Sequence, residues 1–290
     1  MTSATTDSNP GNQGQAAPSG KDPLSFGCIG SLEVRLARNE QEIDAAQKLR
    51  YHVFYEEMSA RPDAETLARK RDFDRFDDFC DHLLVIDHRL GDSIESVIGC
   101  YRLLRQDVAE RHGGFYTASE YDIAPLLKRV GPTMHFLELG RSCVLLPYRN
   151  KPTVELLWQG IIRYLALHEM DVMFGCASFA TTSPDAIALP LSYLHHEFAA
   201  PPEWYVRALP ERYVEMNRMP RESIDARDAI RAMPPMIKGY LRAGCYIGDG
   251  AVVDEQFGTT DVLIILPVSK ISERYLSKWA AKFGVPPVND

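Results

Sequence analysis

Glu138 and Arg141 stand three residues apart in the apolar run Phe136–Leu146, and a basic turn, Arg149-Asn150-Lys151-Pro152-Thr153, follows at once. A carboxylate in an apolar strand can act as the base that frees an amine for attack. An arginine beside it can hold an anion or polarise a carbonyl. On a regular strand the two would point to opposite faces, so a shared role requires a bulge between them. The turn then leads into an apolar helix spanning Thr153 to about His168. A helix start has unpaired N–H groups and a partial positive charge, which suits a phosphodiester. Arg149, Asn150, Lys151 and Thr153 are therefore candidate anion contacts, and Pro152 near the first helical position is itself a helix-start signal. A phosphopantetheine-borne acyl donor carries such a phosphodiester, so the chemistry indicated is acyl transfer.

A second constellation lies upstream. Asp72, Asp74 and Asp77 interleave with Phe73, Phe76 and Phe79. Their spacing fits neither a helix face nor a strand face. A solvated loop is the ordinary meaning of such a charge run, but the phenylalanines suggest an anchored one. Carboxylates there would suit the ammonium groups of a cationic acceptor substrate. Arg50 and Arg102 could hold that acceptor's carboxylate as bidentate partners, or pair with Glu138 as structural ions. His195-His196-Glu197 fits no HHxxxxD acyltransferase motif, because Pro201 occupies the aspartate position. Adjacent histidines diverge on a helix, so a structural role is expected for both. The six cysteines form no CxxC pair and read as buried free thiols of a reducing compartment. Cys143, beside the anion turn, is the one to watch as a nucleophile. No metal-ligand spacing is present, and no metal is expected.

The chain has 290 residues, a net charge of −8, 45% apolar and 25% charged residues. That composition is ordinary for a soluble globular protein, and the acidic balance argues against a nucleic-acid partner. No apolar run reaches the ~18–20 residues needed to span a bilayer. Met1–Pro23 lacks the apolar core of a secretory signal and is rich in small polar residues, so residues 1–28 are expected to be a disordered leader. Residues 29–290 are expected to form a single domain. Periodicity predicts strands at Ser31–Ala37, His82–Arg89, Ser96–Arg105, Met134–Leu146, Asp171–Phe179, Cys245–Asp254 and Thr260–Val268. A tight turn is expected at Gly248-Asp249-Gly250. Helices are predicted near Glu40–Met58, Ser119–Arg129, Thr153–His168, Asp185–Glu197, Ser223–Met233, Pro235–Ala243 and Ile271–Phe283, with Arg61–Cys80 irregular and Pro201–Pro220 a long connection. The order implies an α/β fold with one central mixed sheet flanked by helices.

Two sets of motifs carry a family resemblance. Leu49-Arg50-Tyr51-His52-Val53-Phe54, Asp72-Phe73-Asp74-Arg75-Phe76-Asp77, Val97-Ile98-Gly99-Cys100-Tyr101-Arg102 and Glu138-Leu139-Gly140-Arg141 resemble the acyl-homoserine-lactone synthase branch of the GNAT N-acyltransferases. Gly140-Arg141-Ser142-Cys143-Val144, Pro190-Leu191-Ser192-Tyr193-Leu194-His195-His196, Pro235-Met236-Ile237-Lys238-Gly239-Tyr240-Leu241-Arg242 and Thr259-Thr260-Asp261-Val262 resemble a sister family, the L-ornithine Nα-acyltransferases of ornithine-lipid biosynthesis. This second resemblance spans about residues 31–280. It implies a GNAT-like fold and transfer of a 3-hydroxyacyl group from acyl carrier protein to the α-amine of L-ornithine, giving lyso-ornithine lipid. It implies no resident cofactor, since phosphopantetheine arrives on the carrier. A cytoplasmic location is expected, and Tyr275 and Trp279 on the closing helix are exposed or docking residues that offer a peripheral membrane contact. The backbone at Val144 and Leu145, where strands of this fold splay, is the implied oxyanion donor. The general GNAT pyrophosphate loop reads Arg/Gln-x-x-Gly-x-Gly/Ala, whereas Pro152 here removes one N–H. That suits a single phosphodiester better than a CoA pyrophosphate. An acyl-homoserine-lactone synthase using S-adenosylmethionine and a non-enzymatic acyl-carrier or lipid-binding module are the alternatives.

Overall fold

The computed structural model describes residues 24–58, 60–91 and 93–271. The elements in chain order are β1 (Ser25–Ile29), β2 (Leu32–Leu36), α1 (Glu40–Tyr51), α2 (Ala64–Arg69), β3 (Asp81–Asp87), β4 (Val97–Arg105), α3 (Gln106–Arg111), α4 (Ala124–Val130), β5 (Phe136–Val144) and α5 (Lys151–Leu167). They continue as β6 (Val172–Phe179), α6 (Ala188–Phe198), β7 (Tyr213–Val214), α7 (Ala226–Ala232), α8 (Pro235–Ala243), β8 (Tyr246–Asp254) and β9 (Thr259–Pro267). Among the described residues the strands form one sheet in the order β1-β2-β3-β4-β5-β6-β9-β8-β7. All neighbours are antiparallel except β5 and β6. No helix among the described residues is long and apolar enough to cross a membrane.

The apolar residues of α5, α6 and α8 pack on one sheet face, against Val34, Leu83, Leu103, Leu137, Met173 and Ile264. The alternating positions of the same strands, such as Leu104, Phe136, Phe174 and Leu263, face α3 and α4. Leu84, Ile86, Cys100 and Cys143 on that second face receive Ala45, Ala46 and Leu49 of α1. This two-sided burial is what turns the strands into apolar runs rather than strict alternations. Gly160 permits a close helix approach: a Cβ there would lie 2.7 Å from Val34 Cγ2.

The parallel pairing of β5 with β6 covers only Phe136–Glu138 against Val172–Phe174. Beyond that point the two strands diverge, and β6 continues its pairing with β9 as far as Phe179. Gly175 lies at the parting. A Cβ on it would come within 2.3 Å of the Leu139 carbonyl oxygen, so a side chain there would push the strands apart at their junction. The lack of bulk at Gly175 therefore keeps the two strands close up to this point, and the fork opens beyond it, beside Glu138 and Arg141 of β5.

Several expectations are corrected. The leader expected over residues 1–28 overlaps ordered structure, because Ser25–Cys28 lie in β1, paired with β2 through the turn at Gly30. Met1–Pro23 lies outside the described residues. The Glu40–Met58 helix is α-helical to Tyr51 and then widens to a π-helix over His52–Glu57. The segment expected to be irregular, Arg61–Cys80, contains α2 and a 3₁₀ turn at Arg75–Asp78 capped reciprocally by Asp74 and Asp77. The turn expected at Gly248–Gly250 is a bulge that leaves β8 continuous. Most of the closing helix expected at Ile271–Phe283, with Tyr275 and Trp279, lies outside the described residues.

Candidate active site

A cavity of about 880 Å³ runs through the fork. On the α5 face it is walled by apolar residues including Leu157, Trp158, Met236, Tyr240 and Ile264. On the α1 face it is walled by Arg102, Tyr116, Glu120, Glu138, Arg141 and Asp261. One end suits an acyl chain and the other a polar acceptor.

Glu138 is buried and its two carboxylate oxygens accept hydrogen bonds from the Tyr116 N–H (2.9 Å) and the Thr117 N–H (2.6 Å). Burial pushes the carboxyl above its ordinary range, and the donors at Thr117 and Tyr116 offset this only in part. It forms no ion pair with Arg50 or Arg102, both of which are committed elsewhere. A buried carboxylate of raised basicity, bordering a cavity, has the properties of a general base.

The bulge that a joint role for Glu138 and Arg141 requires is present. Cys100 pairs with Cys143 and Arg102 with Gly140, so Arg141 and Ser142 on β5 face Tyr101 alone on β4. Arg141 takes the left-handed conformation, φ 51°. That geometry costs a non-glycine residue of order 1 kcal/mol. It turns the guanidinium onto the Glu138 face, between the Tyr116 and Phe257 rings at 4.9 and 4.8 Å.

Arg141 also closes a ring of alternating charges. Arg50 holds Asp72 (2.7 Å) and Asp77 (2.8 Å), Arg102 holds Asp77 (3.5 Å) and Asp74 (2.6 Å), and Arg141 holds Asp74 (3.1 Å) and Asp72 (3.3 Å). Burial pushes the Asp72 carboxyl up, but Arg141 and Arg50 outweigh it and hold it below its ordinary range. Three cations thus neutralise three anions inside the protein. None of Arg50, Asp72, Asp74 or Asp77 lines the cavity. The aspartates expected to receive an acceptor's ammonium are therefore paired with arginines instead, and Arg50 holds them in place rather than reaching the cavity. Arg102 and Arg141 do border it.

The basic turn lies partly on the cavity wall. Val144, Arg149 and Lys151 border the cavity, whereas Leu145, Asn150 and Thr153 do not. Asn150 caps α5 by accepting the Thr153 N–H at 3.2 Å, so these two residues start the helix. Arg149 pairs with Glu57, and its Nε donates to the Val144 carbonyl at 2.8 Å. The Leu145 N–H donates to the Ile98 carbonyl at 2.9 Å, which removes it as an oxyanion donor. Cys143 is buried 3.7 Å from the Cys100 sulfur. Burial and Cys100 push its thiol well above the ordinary value, which makes it a poor nucleophile. His196 faces the Met219 carbonyl at 3.2 Å and packs on His195, in keeping with structural roles.

The sequence does not mark a second acidic group as a group, although Asp261 stands in the Thr259–Val262 motif. Carboxylate oxygens of Glu120, Asp254 and Asp261 lie within 4.8 Å of one another on the cavity wall. Among the described residues none of the three forms an ion pair. Burial and Glu120 push Asp261 up to about 7. Burial also raises Glu120, against the Cys176 thiol, which donates to it at 3.1 Å. One signal was available: Asp261 opens the apolar run Val262–Leu266, and an acid on a buried strand face is rare unless paired or functional. Glu120 carries no such local mark, since only the fold brings it to β9.

A family model described as an acetyltransferase (GNAT) domain matches residues 49–159. The chain is 58% identical to the L-ornithine N(alpha)-acyltransferase of Agrobacterium fabrum over 258 residues, 89% of this chain and 88% of that protein. It is 54% identical to the protein of the same name from Brucella abortus over 262 residues, 90% and 93% of the two chains. Among solved structures, FeeM, an N-acyl amino acid synthase from uncultured soil microbes, aligns with a TM-score of 0.48 at 11% identity, over 85% of this chain and 97% of that one. Sharing more than half its aligned residues with these relatives over nearly their whole length, the chain belongs to the L-ornithine Nα-acyltransferases, N-acyltransferases of the GNAT fold.

Proposed function

We propose that this enzyme moves a 3-hydroxyacyl group from acyl carrier protein to the α-amine of L-ornithine, giving lyso-ornithine lipid. The observation that carries this reading is the cavity through the fork, apolar on the α5 face and carboxylate-rich on the α1 face. It matches a donor with a fatty chain and an acceptor with two amines. Family membership supports the same pair of substrates.

In this reading the thioester is presented at the fork and the amine approaches from the Glu138 side. The amine lone pair attacks the thioester carbonyl carbon. The C–N bond forms, the C–S bond breaks, and Glu138 takes the proton that the amine gives up. The raised basicity of Glu138 suits it to that transfer. The leaving sulfur needs a proton. Tyr101, Tyr116 and Tyr240 border the cavity and are kept protonated by burial, so each can donate one. No step requires a protein nucleophile. Arg149 and Lys151 at the start of α5 serve the phosphodiester of the carrier's phosphopantetheine, and their charge favours an acidic carrier. The amphiphilic product suits a cytoplasmic enzyme that touches the inner membrane face at release.

The test is product analysis. Purified enzyme is given 3-hydroxyacyl carrier protein with labelled L-ornithine, and in parallel with S-adenosylmethionine. A lipid-soluble amide of ornithine is expected. A lactone would identify a homoserine-lactone synthase, and no acyl product with either would indicate a binding module; both outcomes contradict the proposal.

A further inference from the structure

We infer that Glu120, Asp254 and Asp261 form the pocket for the side-chain ammonium of the diamine acceptor. The inference rests on the acceptor reading above and assigns the end of the substrate that does not react.

Three observations carry it. The first is burial without a full set of partners. Asp261 Oδ1 and the Thr259 hydroxyl are both inaccessible and belong to residues bordering the cavity, and neither completes a well-formed hydrogen bond among the described residues, although the Ser178 and Thr259 side chains lie near enough to ease the rise of the Asp261 carboxyl. Buried polar atoms are nearly always satisfied, so a carboxylate oxygen left without a full hydrogen bond on a cavity wall has room for a further donor. An ammonium offers three N–H donors and one positive charge. The second is charge. The Asp72, Asp74 and Asp77 carboxylates are balanced by three arginines, whereas this trio has no ion-pair partner among the described residues.

The third is reach. Glu138 pairs in register with Phe174 on β6, and the Cys176 thiol donates to Glu120. Phe174 and Cys176 are two residues apart and point to the same face. The strand rise places them about 7 Å apart along β6. That is close to the separation of the two amines in an extended ornithine. An α-amine beside Glu138 thus leaves the side-chain ammonium at Glu120. There it stays protonated and unreactive, because anionic neighbours favour the charged form.

The experiment compares L-ornithine with L-norvaline, which has the same carbon chain without the second amine. Native enzyme and the variants Glu120→Gln, Asp254→Asn and Asp261→Asn are assayed with 3-hydroxyacyl carrier protein. Thermal unfolding is followed with and without each amino acid. The native enzyme should prefer ornithine over norvaline in kcat/KM by about 10–100-fold, the scale of a charge-assisted contact. Each variant should raise the ornithine KM and collapse that preference toward one. Ornithine, and not norvaline, should raise the Tm of the native protein, and the rise should disappear in Asp254→Asn. Ornithine turnover by the native enzyme with its preference intact in the Asp254 and Asp261 variants would overturn the pocket and leave the acceptor reading standing. No acylation of ornithine by the native enzyme would overturn both. Loss of native activity in chelator, restored by magnesium, would show that the trio holds a divalent cation and would also overturn the assignment.

Discussion

Two trios of carboxylates among the described residues are treated in opposite ways. Asp72, Asp74 and Asp77 sit in a closed ring with Arg50, Arg102 and Arg141, and burial there is matched by opposite charge. Glu120, Asp254 and Asp261 crowd together with no ion-pair partner among the described residues, the Arg212 and Arg141 charges acting on Glu120 only from a distance, and Asp261 is pushed up to about 7. A buried ion cluster that is internally neutral fixes structure, because removing any member strands the others. An unbalanced cluster open to a cavity is held at a cost to the free protein, which a cationic ligand can relieve. The difference separates the acids that build the site from those available to a substrate.

The ring should break hardest. Arg50→Leu leaves Asp72 and Asp77 buried without their cation and should cost about 3–5 kcal/mol. Urea unfolding measures this; a change below about 1 kcal/mol would remove the ring's structural role. Glu138→Gln lies between the two trios in kind. It should lower kcat by roughly 10²–10⁴-fold with a modest loss of Tm, since glutamine keeps an acceptor for one of the two N–H groups. Near-normal kcat with a large Tm loss would make Glu138 a loop anchor instead.

The bare trio should behave in the reverse sense. The folded-state value of Asp261, about 7, lies above the ~3.9 of an unfolded aspartate. Its stabilising proton uptake is therefore complete below about pH 4 and is lost as pH rises through about 7. Glu120 and Asp254 face it, and both oppose its ionisation. Asp261→Asn should accordingly have a Tm advantage over the native protein that is small at pH 4, grows to pH 7 and then levels off at about 5 °C or more. An advantage independent of pH would contradict the unbalanced cluster. The smallest effect is expected at the cavity rim. Arg149→Ala with Lys151→Ala should raise the KM for carrier protein several-fold at low salt and much less at high salt, with folding intact. Salt-independent kinetics would remove the rim from carrier docking.

The contrast between the trios also marks what the sequence makes legible. Strands of β-branched and leucine-rich residues and the Pro235–Ala243 helix stand out because their burial is written in local periodicity. The Glu138–Arg141 pair and the capped start of α5 are legible for the same reason, being encoded within a few residues. Local pattern also shows that Asp72, Asp74 and Asp77 are unusual. It does not show that Arg50, Arg102 and Arg141 arrive from three separate elements to neutralise them. Glu120 meets Asp254 and Asp261 across some 130 residues of chain, and nothing near it in sequence announces the meeting. The fork itself depends on Gly175 opposite Leu139, a contact between strands that periodicity cannot register.

The most direct measurement is the position of the new amide. Ornithine carrying nitrogen-15 only at the α-amine is converted by the native enzyme with 3-hydroxyacyl carrier protein, and the product is fragmented by mass spectrometry. With Glu138 at the reacting amine and the bare trio at the other, the acyl group is found on the labelled nitrogen. Acylation of the unlabelled side-chain nitrogen would reverse the orientation and contradict the division of labour between the two ends of the cavity.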